Sequence, residues 1–124
     1  MRSETKDYIV LDLLKIAAEV ARPEMDRSRK GIIGAVGVRK DNVIVHARNG
    51  IIPFPSGRYP AIHAEARLCK KLGRGAVVYV ARTRKDGSLA LARPCINCIQ
   101  IMTSYKVKAV FWTIDNDDWG GMEL

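Results

Sequence analysis

The stretch Ala61-Ile62-His63-Ala64-Glu65-Ala66-Arg67-Leu68-Cys69-Lys70-Lys71-Leu72-Gly73-Arg74-Gly75-Ala76-Val77-Val78-Tyr79-Val80-Ala81 changes its period halfway along. Ala64, Leu68 and Leu72 recur at helical spacing, which predicts a helix over 61–72. Gly73 and Gly75 stop it. Ala76–Ala81 is then a short, β-branched apolar run of the kind that forms a buried strand. A helix that feeds a strand through a two-glycine break is the repeating unit of an alternating α/β chain.

The pattern extends in both directions. Upstream, Ser3 is placed to cap a helix from about Glu4 to Ala21, with Ile9, Leu13, Ile16, Ala17 and Val20 on one face and Pro23 beyond its end. Glu24–Lys30 is a polar loop. Ile32–Val38, with Gly31, Gly34 and Gly37, predicts a buried strand that other backbone approaches closely. Lys40-Asp41-Asn42 is a turn and Val43–Ala47 a second strand, so the two form an antiparallel hairpin. Asn49–Pro60, with two glycines and three prolines, is a loop.

Downstream, Arg84–Arg93 reads as a loop around the turn Lys85-Asp86-Gly87-Ser88. Pro94 opens a helix running to about Tyr105, followed by a strand over Val107–Ile114, a turn at Asp115–Asp118 and a short final strand over Trp119–Leu124. The order is α-β-β-α-β-α-β-(β), one domain over 1–124. It predicts a mixed central sheet of four to five strands with helices on both faces, the later strands parallel through right-handed crossovers.

Composition narrows the function. Apolar residues make up 48% of the chain, enough for a core, and no run of 18 apolar residues is present, so no membrane span is expected. Met1–Asp7 leads into no signal-like apolar block, and three cysteines are an odd number for a disulfide framework. A reducing, cytoplasmic setting is the expectation. Net charge is +8, concentrated in residues 27–114, where seventeen basic side chains face only Asp41, Glu65 and Asp86. Residues 115–124 carry four acidic side chains and no basic one. Such a field favours an anionic partner such as a nucleotide phosphate or a nucleic acid, although surface solvation alone would account for the charge.

Two short motifs carry the chemistry: His63-Ala64-Glu65 and Pro94-Cys95-Ile96-Asn97-Cys98. Together they read H-x-E … P-C-x-x-C. One imidazole and two thiols supply three zinc ligands, which leaves a fourth tetrahedral position for water. The remaining carboxylate, Glu65, is free to handle that water's proton. Cys95 and Cys98, at i and i+3 in the first turn of the predicted helix, face one direction. A C-x-x-C pair alone would also serve as a redox couple or half of a structural zinc site. A structural site needs a fourth ligand, for which His46 is the spare histidine and Cys69 the spare thiol. Cys69 reads as a small core residue and His46 as a packed or surface side chain.

With these motifs the chain resembles the cytidine and deoxycytidylate deaminase superfamily, from Gly34-Ala35-Val36 to Val110-Phe111-Trp112. The resemblance implies a three-layer α/β/α fold and one zinc per subunit on His63, Cys95 and Cys98, with Glu65 as proton shuttle. It also implies sugar binding by Asn49, backbone contacts from Ala64 and Cys95 to the base and the attacked oxygen, and assembly into homo-oligomers. Histidine as first ligand resembles the deoxycytidylate and tRNA-adenosine branches, the Asn49-Gly50 pair resembles the deoxycytidylate branch, and a short final hairpin at Asp115–Leu124 is similar to free cytidine deaminases. Arg48, Arg58, Arg84 and Arg93 fall in loops that border the predicted pocket, and planar guanidinium groups suit a phosphate. Of these, Arg58 and Arg93 are the phosphate candidates. Phe54 and Tyr59 share the first of these loops, and Phe54 reads as an anchor packed on the core. The expected substrate is therefore a free cytosine nucleotide, deoxycytidylate first. Cytidine-type nucleosides, cytosine in single-stranded nucleic acid, tRNA adenosine, and a non-enzymatic zinc-stabilised binding module stay open.

Overall fold

The structure, a computed structural model, describes residues 4–21, 31–48, 50–51, 61–62, 64–84 and 86–124. The described elements are α1 (Glu4–Ala21), β1 (Gly31–Val38), β2 (Ile44–Arg48), β3 (Gly50–Ile51) and β4 (Ala61–Ile62). They continue with α2 (Ala64–Cys69), β5 (Val77–Arg84), β6 (Leu89–Ala90), α3 (Ile96–Ser104), β7 (Ala109–Thr113) and β8 (Trp119–Glu123). The main sheet runs in the order β2-β1-β5-β7-β8, with β6 paired to β5. It is mixed: β1 is antiparallel to both β2 and β5, β5 is parallel to β7, and β7 is antiparallel to β8.

Among the described residues the sheet has six strands, not four or five, because residues inside the expected Arg84–Arg93 loop form β6. Two further corrections concern the neighbourhood of His63. The helix expected over 61–72 is confined to Ala64–Cys69, and Ala61–Ile62 pairs as β4 with Gly50–Ile51. Both strands are two residues long and their partners lie far away in sequence, so no local periodicity announces them.

Strand alternation separates two cores. On β5, Val78 and Val80 face one side and Tyr79 and Ala81 the other. Leu68 and Cys69 of α2 and Cys98 and Met102 of α3 cover the first side, together with Ala35, Ala47, Val110 and Trp112. Val10, Leu14, Ala17 and Ala18 of α1 cover the second, against Tyr79, Trp119, Val36 and Ala81. The layers are thus α1, sheet, then α2 with α3. The face α1 buries is turned from the one expected: Val10, Leu14, Ala17 and Ala18 are buried, whereas Ile9 and Ile16 of the expected stripe are exposed, because the packing centre falls one position further along the helix.

Local chemistry fixes the connections. In the β1–β2 hairpin, Asn42 takes the left-handed conformation at φ 69°, and Asp41 accepts from the Val43 amide at 3.2 Å. α3 ends in a Schellman motif: Val107 N–H donates to Met102 O at 3.1 Å and Lys106 N–H to Thr103 O at 3.0 Å. Lys106 there has φ 62°, where glycine is usual. Gly37 was expected to admit close backbone, but side chains approach it: a Cβ there would lie 2.5 Å from a Leu72 methyl and 3.3 Å from a Leu68 methyl.

Candidate metal centre

α2 and α3 bring the second half of each motif together. Glu65 stands in the first turn of α2 and is 3% exposed, so its carboxylate is sealed from bulk water. Cys95 is the N-cap of α3 and exposed, one position earlier than the first-turn placement expected for it. Its carbonyl accepts the first helical bond, from Ile99 N–H at 3.0 Å. Cys98 lies in the first turn, 2% exposed, in the core on the α2 side. Burial pushes the Cys98 thiol well above its ordinary range, and the neighbouring Glu65 charge and Cys95 sulfur raise it further. Cys98 thus has both Cys95 and Glu65 as near neighbours.

Cys69 sits one helical turn beyond Glu65, fully buried in the same core, as expected of a small core residue. Burial and then the Glu65 charge push its thiol up to about 11. His46 is exposed on β2 opposite Val36 of β1, a residue of the α1-side core. Cross-strand partners share a face, so His46 lies on the opposite side of the sheet from Cys98 and is not placed to close a four-ligand site.

His63, Asn49, Arg58, Phe54 and Tyr59 lie outside the described residues. β3–β4 pairing sets Gly50 opposite Ile62, the sequence neighbours of Asn49 and His63. Ala64 opens α2. Arg93 is exposed, with its guanidinium 5.9 Å above the Trp112 ring. Arg84 is engaged within its own turn, donating to Ser88 Oγ at 3.4 Å and Leu89 O at 3.2 Å. Arg48 closes β2.

Among the described residues, no group of three or more His, Cys, Asp or Glu side chains is placed to hold a metal ion. The donor set nevertheless fits zinc in kind. Two sulfurs three residues apart at a helix start would supply soft ligands, the buried carboxylate near Cys98 could handle a proton, and His63 follows β4 directly in sequence. Sequence reading missed Trp112 and Thr113, which support the chain leading into Cys95. Nothing in their alternation within β7 distinguishes them from ordinary core residues.

The sequence profile of the cytidine and deoxycytidylate deaminase zinc-binding region matches residues 9–114. The chain belongs to this family. Among solved structures it is similar to the cytidine deaminase of Burkholderia pseudomallei, with a TM-score of 0.63 at 20% identity, covering 94% of this chain and 91% of that one. The cytidine deaminase of Mycobacterium tuberculosis aligns with a TM-score of 0.56 at 16% identity over 93% and 90% of the two chains. That of Mycobacterium leprae gives 0.54 at 18% over 89% and 90%. These likenesses establish the fold. No curated protein matches the chain by sequence.

Proposed function

We propose that the protein is a zinc-dependent hydrolytic deaminase of free cytosine nucleotides, with deoxycytidylate as its first substrate and deoxyuridylate and ammonia as products. One observation carries this reading: a buried carboxylate, Glu65, beside Cys98 of the C-x-x-C pair at the start of α3. His63, Cys95 and Cys98 would hold the metal, which when bound supplies Lewis-acid activation of water at neutral pH. Glu65 would take one proton from the attacking water and give it to the ring nitrogen, then take the second from the added hydroxyl as the carbonyl forms and give it to the departing amine. Its burial keeps each proton from exchanging with solvent during transfer. Asn49 and the Ala64 backbone would orient sugar and base, and Arg58 and Arg93 would meet the phosphate.

A second reading, deamination of cytidine or deoxycytidine, is favoured by a specific feature. Arg84 and Arg93, two of the four loop arginines, already have partners within the chain: the Ser88–Leu89 turn and the Trp112 ring. The ratio of kcat/KM for deoxycytidylate to that for deoxycytidine separates the readings. The nucleotide reading predicts a preference of at least about tenfold, equal to roughly 1.4 kcal/mol of phosphate recognition. Equal use, or a preference for the nucleoside, favours the second.

A further inference from the structure

The parallel ladder between β5 and β7 ends at Val80 and Trp112. Beyond it the two strands part, and the segment that leads to Cys95 enters the gap. On one side Ala90 and Leu89 pair with Arg82 and Thr83 of β5. On the other, Ala92 N–H donates to Thr113 O at 2.9 Å. The Thr113 hydroxyl spans the gap: it donates to Ala90 O at 2.7 Å and accepts from Arg82 N–H at 3.3 Å. Thr113 is 2% exposed, so water does not replace these bonds. The next residue along the segment, Arg93, lies over Trp112, and the one after is the buried Pro94, whose ring fixes φ. Ala90, Ala92 and Arg93 are thus held on two consecutive β7 residues, and Pro94 is stiff by itself.

We infer that Thr113 is a positioning residue for the C-x-x-C pair, holding Cys95 at the distance from Cys98 that metal binding requires. The inference rests on the deaminase reading only in taking these two sulfurs as ligands. A hydroxyl that fixes the lead-in strand lowers the cost of ordering the first thiolate, an effect comparable to that of the outer groups that orient metal ligands.

Thr113→Val keeps the shape and removes the hydroxyl, and Thr113→Ser keeps the hydroxyl. Zinc affinity is measured by chelator competition, and the thiolate-to-metal charge-transfer band is recorded on the cobalt(II) forms. The expected result is that Thr113→Val binds zinc about tenfold or more weaker with an altered band, and that Thr113→Ser matches the wild type. Unchanged zinc affinity and an unchanged band in Thr113→Val would overturn the inference even if its Tm falls. If Thr113→Val does not fold, amide exchange of the wild type decides. Zinc should slow the Ala92 amide by about tenfold while leaving Lys108 N–H, bonded to Ala76 O at the far end of the sheet, unaffected. Equal behaviour of the two amides is the contrary result. Wild-type protein that binds zinc but deaminates nothing ends the functional reading alone, whereas wild-type protein that binds no zinc ends both.

Discussion

Glu65 is the residue on which the proposed chemistry turns, and it is buried in the first turn of α2. The carboxylate lies near the thiols of Cys98 and Cys69, and its charge raises both. Glycine 121 shows the same dependence on neighbours in the opposite layer. A Cβ there would sit 2.4 Å from Phe111 Cδ1 and 2.7 Å from Cε1. Phe111 is stacked on Tyr79 at 5.4 Å and meets Trp119 edge-on at 5.6 Å, so moving its ring away would give up both contacts. Gly121→Ala is expected to cost about 1–3 kcal/mol by overpacking, read as a lower urea midpoint with an unchanged slope. The sequence makes the identity of Glu65, Cys95 and Cys98 legible because each residue type has a chemical task at that spacing. It does not reveal Thr113, whose role depends on a gap between strands that only the assembled sheet creates.

At the scale of elements, long periodic segments follow the sequence and short paired ones do not. α1, the β1–β2 hairpin, β5, β7 and β8 are found where their apolar patterns put them. β5 continues past its apolar run to Arg84, because Thr83 is buried between charged residues and bonds to Ala18 O at 3.5 Å. β3, β4 and β6 are two residues each and exist only through partners brought close by folding. α3 is bounded by Cys95 as N-cap and by the Schellman turn at Lys106. A β-carbon in the left-handed conformation is unfavourable, so Lys106→Gly should stabilise the protein by about 0.5–1 kcal/mol, less what glycine's flexibility costs the folded state. Thermal denaturation of the two proteins checks the sign: a lower Tm for the glycine variant contradicts the strain argument.

For the whole molecule, the fold places the candidate centre on the α2–α3 layer, at the end of the sheet where β5 and β7 finish. An open groove of about 550 Å3, lined by Ile9, Tyr79, Phe111 and Lys108 among others, lies on the α1 side and contains none of the candidate residues. The sequence separates a basic middle from an acidic end, but the fold brings them together. The β7–β8 turn carries Asp115, Asp117 and Asp118, and its Asn116 accepts from Leu89 N–H at 2.7 Å, six residues before Cys95. An acidic turn beside the centre opposes a long polyanion more than a single phosphate, which supports a small-molecule substrate over a nucleic acid. Under the nucleotide reading, kcat/KM for deoxycytidylate should fall several-fold between low salt and about 0.5 M salt while that for deoxycytidine stays flat. Parallel curves for the two would remove charge from the account of recognition. No described helix is long and apolar enough to cross a membrane.

The measurement that bears most directly on the central claim is the turnover of deoxycytidylate and deoxycytidine, followed by ultraviolet absorbance, by zinc-loaded wild-type protein and by a Glu65→Ala variant with equal zinc content. The account predicts that the wild type converts at least one of the two to its uracil product and that the variant is slower by about 10²–10⁴-fold. Equal rates in the two proteins, or no conversion of either substrate by the wild type, would contradict it.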